Sequence, residues 1–169
     1  APSFTRGANV TVNEDSGAYS AAWATALSAG PGETQVLTFA VTNTNSGIFV
    51  AQPSISSTGV LTFTPAANAN GSATVTVTLS DDGGTANGGV DTSASQTFTI
   101  TVNAVNDAPS FLAGLSQVVS EDATAQTVTG WATMLSAGPP DESMQALNFV
   151  VTSTNMALFA VQPSISSMG

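Results

Sequence analysis

The stretch Ala73-Thr74-Val75-Thr76-Val77-Thr78-Leu79 alternates an apolar with a polar residue at every position. Such strict alternation is typical of a β-strand that has one face against a core and the other face in water. Residues 35–42 and 97–102 alternate in the same way, with Leu37, Phe39 and Val41 predicted to point inward in the first of them. The apolar residues stand among abundant Thr, and β-branched side chains favour pleated sheets.

On both sides of residues 73–79, short apolar runs alternate with turn signals along the first hundred residues. Asn70-Gly71 is a tight-turn signal, and Gly59 precedes a further alternating run at Leu61 and Phe63. Further strands are predicted at residues 8–13, 19–26, 48–51 and 53–56. Helix-favouring Glu, Lys, Arg and Gln are scarce. The sequence therefore predicts an all-β chain.

An internal repeat decides the domain organisation. The following segments recur: Ala1–Phe4 at Ala108–Phe111, Glu14-Asp15 at Glu121-Asp122, Trp23–Thr25 at Trp131–Thr133, Leu27–Pro31 at Leu135–Pro139, and Gln52–Ser57 at Gln162–Ser167. The offset grows from 107 (Ala1 to Ala108) to 110 (Gln52 to Gln162), so the second copy carries small insertions near Gly130 and within residues 140–143.

Residues 1–107 are predicted to form one complete repeat, with a linker at residues 103–109, and residues 108–169 the N-terminal part of a second. About 100 residues with seven or so strands match the size of an immunoglobulin-type β-sandwich. Trp23 and Trp131, in identical local contexts, are expected to fill equivalent core positions between the sheets, with stacking on sugars as the alternative.

Several motifs resemble one known kind of bacterial repeat. They are Thr11–Asp15, Trp23–Thr25, Ser28–Pro31, Phe63–Gly71, Ser80–Gly84 and Val105–Pro109. The chain is similar, over essentially its whole length, to the cadherin-like or immunoglobulin-like tandem repeats of very large bacterial surface and secreted proteins, including RTX-type adhesins. This resemblance implies tandem β-sandwiches, a secreted or cell-surface location, and a role as extender modules next to neighbouring repeats of the same protein.

The charge and the missing residue types exclude several functions. The 169 residues include eleven acidic residues, one arginine (Arg6), and no Lys, His or Cys, for a net charge of -10. Nucleic acid and anionic membranes are therefore unlikely partners, and no apolar run approaches the roughly 18 residues of a membrane span. Disulfides, thiolate metal sites and Lys–Asn crosslinks are impossible. Most general bases and nucleophiles are absent, so the chain is not expected to be an enzyme.

Clustered oxygen ligands at strand ends suggest Ca²⁺ binding. From strand directions, the first candidate site converges on the repeat junction, and a second candidate lies at the far end of the first repeat. The junction residues are Glu14, Asp15, Asn106, Asp107, Asp141 and Glu142; the second set is Asp81, Asp82, Asp91 and Glu33. The alternative is that all of them are ordinary solvated turn residues, since Asn and Asp favour turns.

The resemblance to cadherins bears on the same junction. Cadherins share interdomain Ca²⁺ between an early Glu, a linker Asn-Asp and an acidic motif of the following domain. Here the last motif is Pro140-Asp141-Glu142 rather than Asp-x-Asp, and the first repeat has only Glu33 at that place. The function expected on these grounds is a rigid spacer, or a filament or surface-layer building block, stiffened by calcium at the linker. A glycan- or protein-binding adhesin module and an accessory domain of a secreted hydrolase are the rival interpretations.

The second copy contains no counterpart of residues 60–107. Half a sandwich would leave unpaired strand edges and an apolar face around Leu147, Phe149 and Val151. We therefore expect either that the chain continues beyond residue 169 or that another copy donates the missing strands. Strand donation would make the chain a self-assembling fibre subunit.

Overall fold

The computed structural model describes residues 1–169, which form eleven β-strands and four short 3₁₀ turns. The strands are β1 (Ser3–Thr5), β2 (Val10–Asn13), β3 (Tyr19–Ala22), β4 (Thr25–Ser28), β5 (Thr38–Asn43), β6 (Phe49–Ile55), β7 (Val60–Pro65), β8 (Gly71–Ser80), β9 (Gln96–Asn103), β10 (Ser110–Ala113) and β11 (Ala132–Ser136). The 3₁₀ turns are Ser46–Ile48, Ala86–Gly88, Pro140–Glu142 and Met156–Leu158. The chain is thus all-β, and none of its helical turns has the length and apolar character needed to cross a membrane.

The chain divides into two compact units, Ala1–Val105 and Asn106–Gly169. In the first unit a four-stranded sheet has the order β2-β9-β8-β5, and a three-stranded sheet has the order β3-β7-β6. Buried residues of both sheets belong to one hydrophobic cluster. Two sheets that share one core are consistent with a β-sandwich. A separate pair, β1 with β4, adds Phe4 to the same cluster.

Strand β8 confirms the alternation predicted for residues 73–79. The side chains of Val75, Val77 and Leu79 are fully buried, whereas the intervening threonines are partly or fully exposed. Burying each such aliphatic side chain stabilises the fold by about 1.5–3 kcal/mol. Because β8 pairs with both β5 and β9, it is an interior strand of its sheet, and its apolar face forms the centre of the core.

The strand predicted at residues 8–13 is present as β2, which begins at Val10, and β1 precedes it as a further strand. The strand predicted at residues 19–26 is wrong in its extent, because it is broken between β3 and β4. The break lies at a contact with a residue distant in sequence, because the backbone N–H groups of Trp23 and Ala24 both donate to the carbonyl oxygen of Gly59, at 2.8 and 2.9 Å. Beyond this point β4 leaves the sheet of β3 and pairs with β1.

Strand β2 pairs with β9 in parallel, whereas the other strand pairs of the chain are antiparallel. The register runs from Val10 opposite Ile100 to Asn13 opposite Asn103. The strands come from near the two ends of the first unit, and their pairing brings Glu14, just after β2, beside the chain that leaves β9.

The second unit contains a single sheet, formed by β10 and β11. Ser110 faces Ser136 there as Ser3 faces Ser28 in the first unit, and Met134 has the same positive φ of 51° as Ala26. The second repeat was expected to lack only the counterpart of residues 60–107, but the segments that correspond to β2, β3, β5 and β6 also form no strand. In the first unit those four strands pair with β7, β8 or β9, which have no counterpart in the second unit. The only sheet that forms is the counterpart of β1 and β4, because both of its strands, β10 and β11, are present in the second unit.

Candidate cation-binding carboxylates

Glu14 is a buried acidic residue that forms hydrogen bonds with the last residues of the first unit. The backbone amide of Glu14 donates to the carbonyl oxygen of Asn103 at 2.9 Å, which continues the parallel pairing of β2 and β9 by one residue. Its side chain is 2% exposed, and Oε1 accepts a 2.8 Å hydrogen bond from the amide of Val105. The other oxygen, Oε2, is buried and has no hydrogen-bond partner. Asp15 follows in the turn with a φ of 59° and is exposed.

Glu142 is likewise a buried acidic residue that accepts a hydrogen bond from a backbone amide, here in the second unit. It ends the 3₁₀ turn Pro140–Glu142, is 4% exposed, and accepts a 2.6 Å hydrogen bond at Oε1 from the amide of Asp107. Its Oε2 is also buried without a hydrogen-bond partner. The carboxylate lies directly over Gly138, where a Cβ atom would overlap it. A glycine at position 138 therefore makes the space that this carboxylate occupies.

Polar groups of the same region complete the surroundings of Glu142. The side-chain amide of Asn106 donates to the carbonyl oxygen of Asp107 at 2.9 Å, and Asn106 Oδ1 accepts from Gln145 at 3.2 Å. Asp141, the remaining predicted ligand of this unit, is exposed. The structure thus brings Asn106, Asp107 and Glu142 together, with hard oxygen atoms of the kind that Ca²⁺ prefers.

The six residues predicted at the junction are divided between the units. Glu14 and Asp15 belong to the first unit, and the other four belong to the second. Within either unit, no group of three or more acidic side chains lies close enough together to hold a metal ion. A cation at either buried glutamate would therefore need amide, backbone carbonyl or water oxygens as additional ligands, all of which Ca²⁺ accepts.

The second candidate set hydrogen-bonds within its own loops. Asp81 Oδ1 accepts from the amide of Gly83 at 2.9 Å, and Asp82 Oδ1 accepts from the amide of Val36 at 2.9 Å. Asp91 Oδ1 accepts from the hydroxyl of Thr92 at 3.1 Å. The bond of Asp81 is the local one by which Asp stabilises a turn, whereas that of Asp82 joins two loops distant in sequence. Glu33 is exposed.

Glu33 also has a structural feature that was not predicted from the sequence. Its carboxylate lies over Gly30 as that of Glu142 lies over Gly138, since a Cβ atom at either glycine would overlap the glutamate. Both glycines have an unusual φ, of 151° and 155°. The signal was present in the sequence, because each copy has Ala-Gly-Pro followed within three residues by a Glu. The glutamate after this motif is buried only in the second unit.

Trp23 occupies the predicted core position. Its indole is 5% exposed, packs against the ring of Phe98 with centroids 4.2 Å apart, and donates from Nε1 to the carbonyl oxygen of Ala8 at 2.9 Å. Trp131 makes the same bond to the carbonyl oxygen of Leu115 at 3.0 Å but is only half-buried. The core role is confirmed for Trp23, and burial removes it as a platform for sugars.

Comparison with known proteins yields no assignment. No protein-family model matches the chain, and no curated protein matches it significantly.

Proposed function

We propose that the chain is an extracellular structural module built from tandem immunoglobulin-like or cadherin-like repeats. In this proposal it serves as a rigid spacer, or as a building block of a filament or surface layer, and its partners are neighbouring repeats of the same protein. Calcium bound by the carboxylates that hold the linker stiffens the connection. A secreted or cell-surface location follows from that role.

The likeness between the units supports a repeat architecture. Each unit has the same tryptophan-to-carbonyl hydrogen bond, and each has a two-stranded sheet with the same offset pairing. Gly7 and Gly114 both lie against a tryptophan so closely that a Cβ atom would clash with the indole. Such agreement in detail is expected when one structural unit is repeated along a polypeptide.

The observation that carries the calcium proposal is the pair of buried glutamates at the linker. Glu14 and Glu142 each hold one linker amide with one oxygen, while the second oxygen has no hydrogen-bond partner. A buried charged oxygen without a partner is costly, and buried carboxylates normally have hydrogen bonds, counter-charges or metal ions around them. The chain has only Arg6 as a basic side chain, so a dissolved cation is the available counter-charge.

The overall charge supports the same conclusion. A net charge of -10 with one basic residue destabilises a compact state through self-repulsion. A bound divalent cation would relieve this repulsion locally. Calcium therefore fits both the local and the global electrostatics of the chain.

Thermal unfolding of the 169-residue chain in calcium and in chelator tests the proposal, with ionic strength held constant by NaCl. Binding to the folded state alone adds about 2.7 kcal/mol of stability at a hundredfold excess over Kd, so calcium should raise the melting temperature. Glu14→Gln and Glu142→Gln should each reduce that rise. Glu121→Gln is the matched control, because Glu121 corresponds to Glu14 but is exposed, and it should leave the rise unchanged. Equal melting temperatures with and without calcium would refute the proposal.

A further inference from the structure

The second unit exposes apolar side chains whose counterparts in the first unit form its core. Phe111 is 49% exposed, whereas Phe4, its counterpart, is 7% exposed. Phe159 is 41% exposed, against 5% for Phe49. Contiguous exposed apolar surface on a protein generally marks a binding site.

The exposed face forms a wide, open groove of about 470 Å³. It is lined among others by Phe111, Trp131, Leu147, Phe149, Val151 and Ile165. The rings of Phe111 and Phe149 meet edge to face with centroids 5.1 Å apart, as those of Phe4 and Phe39 do at 5.3 Å. This ring contact of the groove is therefore arranged as in the complete first unit.

One wall of the groove is a segment ready to pair with another strand. Leu147 and Phe149 are half-buried while Asn148 and Val150 are exposed, which repeats the alternation of β5. This segment belongs to no sheet. Its counterpart β5 is paired with β8 over six residues, from Thr38 opposite Ser80 to Asn43 opposite Val75. The backbone groups that β8 satisfies in the first unit thus lack a strand partner in the second.

The first unit also shows what chemistry the occupant needs. Its core is closed by β8 and β9, which place Val75, Val77 and Leu79 beside the β5 side chains and Phe98 over Trp23. Neither strand contains a charged residue, and no residue that lines the groove is charged. In a chain with a net charge of -10, an uncharged groove matches an uncharged strand pair.

We propose that this groove binds a β-hairpin with the chemistry of β8 and β9, which adds antiparallel to residues 147–152. Valine, leucine and isoleucine side chains of the hairpin enter the groove, threonines face solvent, and an aromatic residue in the place of Phe98 covers Trp131. Main-chain hydrogen bonds supply affinity, and the alternating side chains supply specificity. The inference rests on the proposed function, because it names the contact by which one repeat is completed by another polypeptide segment.

A synthetic peptide of residues 71–103, which carries β8 and β9, is the probe. It is added to the 169-residue chain, and amide hydrogen exchange is followed by mass spectrometry. We expect exchange across residues 147–152 to slow by about tenfold or more, since these amides gain strand partners. A scrambled peptide of the same composition should give no protection, and a peptide with Phe98→Ala should protect less.

Two variants of the chain show where the hairpin binds. Val151→Asp puts a charge in the groove at a position that is 39% exposed, and it should abolish protection. Met144→Asp, at an exposed position outside the groove, is the control and should bind normally. Protection by the scrambled peptide, no protection by either peptide, or protection of residues 147–152 by dimerisation of the chain alone would each overturn the proposal.

The dependence of each measurement on calcium distinguishes the groove proposal from the proposal of a calcium-stiffened linker. Hairpin binding is measured in calcium and in chelator alongside the thermal unfolding. Loss of calcium stabilisation with intact hairpin binding refutes only the calcium linker, and the converse refutes only the groove.

Discussion

The backbone amide of Asp107 donates a 2.6 Å hydrogen bond to Oε1 of Glu142, a carboxylate that is only 4% exposed. Hydrogen bonds to an ionised acceptor are shorter and about twice as strong as neutral ones, and little solvent reaches this one. A residue 35 positions away thus holds the backbone at the start of the second unit. Glu14 and Val105 show the same arrangement at the end of the first unit.

Glu142→Ala should release the amide of Asp107. A hydrogen bond to a charged group contributes about 1.5–3 kcal/mol, so exchange of this amide with deuterium should accelerate by roughly tenfold to a hundredfold. Site-resolved exchange by NMR in chelator measures the effect without any contribution from calcium. Glu121→Ala removes an exposed glutamate of the same unit and should leave the Asp107 amide unchanged. Similar exchange rates of the Asp107 amide in the two variants would show that the hydrogen bond to Glu142 does not protect this amide.

The two tryptophans should differ in their contribution to stability. Trp23→Ala removes a buried indole that packs on Phe98, and large-to-small core changes of this kind cost about 3–5 kcal/mol. Trp131 is half-buried and has no ring partner, so Trp131→Ala should cost clearly less. Urea unfolding followed by circular dichroism gives both values. Equal losses would mean that the indole of Trp131 is as well covered as that of Trp23.

Gly59 should be irreplaceable for two separable reasons. Its φ is +83°, and a Cβ atom there would also overlap the carbonyl oxygen of Ala24. Gly84 has a similar φ of +73° but open space around it. Gly84→Ala therefore measures the conformational cost alone, about 1–2 kcal/mol. Gly59→Ala should cost about 1–3 kcal/mol more in unfolding free energy, which is the usual range for overpacking. Equal costs would contradict the close approach to Ala24.

The alternating pattern of the sequence was sufficient to predict the centre of the fold. Val75, Val77 and Leu79 are buried, and β7, β8 and β9 lie where Leu61, Phe63 and residues 97–102 place them. The division of residues 19–26 into β3 and β4 could not be predicted in this way. It depends on the carbonyl oxygen of Gly59, which is distant in sequence and accepts two hydrogen bonds at the break.

The environment of the candidate carboxylates could not be predicted from the sequence. Strand directions and resemblance point to Glu14, Asp107 and Glu142 as candidates. Nothing in the sequence indicates that the two glutamates are buried or that each one accepts a linker amide. Those facts depend on the register that places Asn13 opposite Asn103 and on the space that Gly138 leaves for the Glu142 carboxylate. Both are defined only in the folded chain.

The parallel pairing of β2 with β9 has a mechanical consequence. Both strands run in the same direction, so tension applied before β2 and after β9 pulls them past each other along their length. The hydrogen bonds from Val10 to Asn13 then share the force and have to break together. Pulling apart Thr38 and Ser80, which face each other across an antiparallel pair, breaks bonds one after another instead.

Force spectroscopy can compare these two directions, because the chain has no cysteine and handles can be placed freely. Handles at Arg6→Cys and Ala104→Cys, both exposed positions, load β2 against β9. Handles at Thr38→Cys and Ser80→Cys unzip β5 from β8. The first arrangement should require the higher unfolding force, and equal forces would contradict it. A chain of such units stretched end to end would thus meet its greatest resistance at β2 and β9, with the applied load lying along the strands that close each unit.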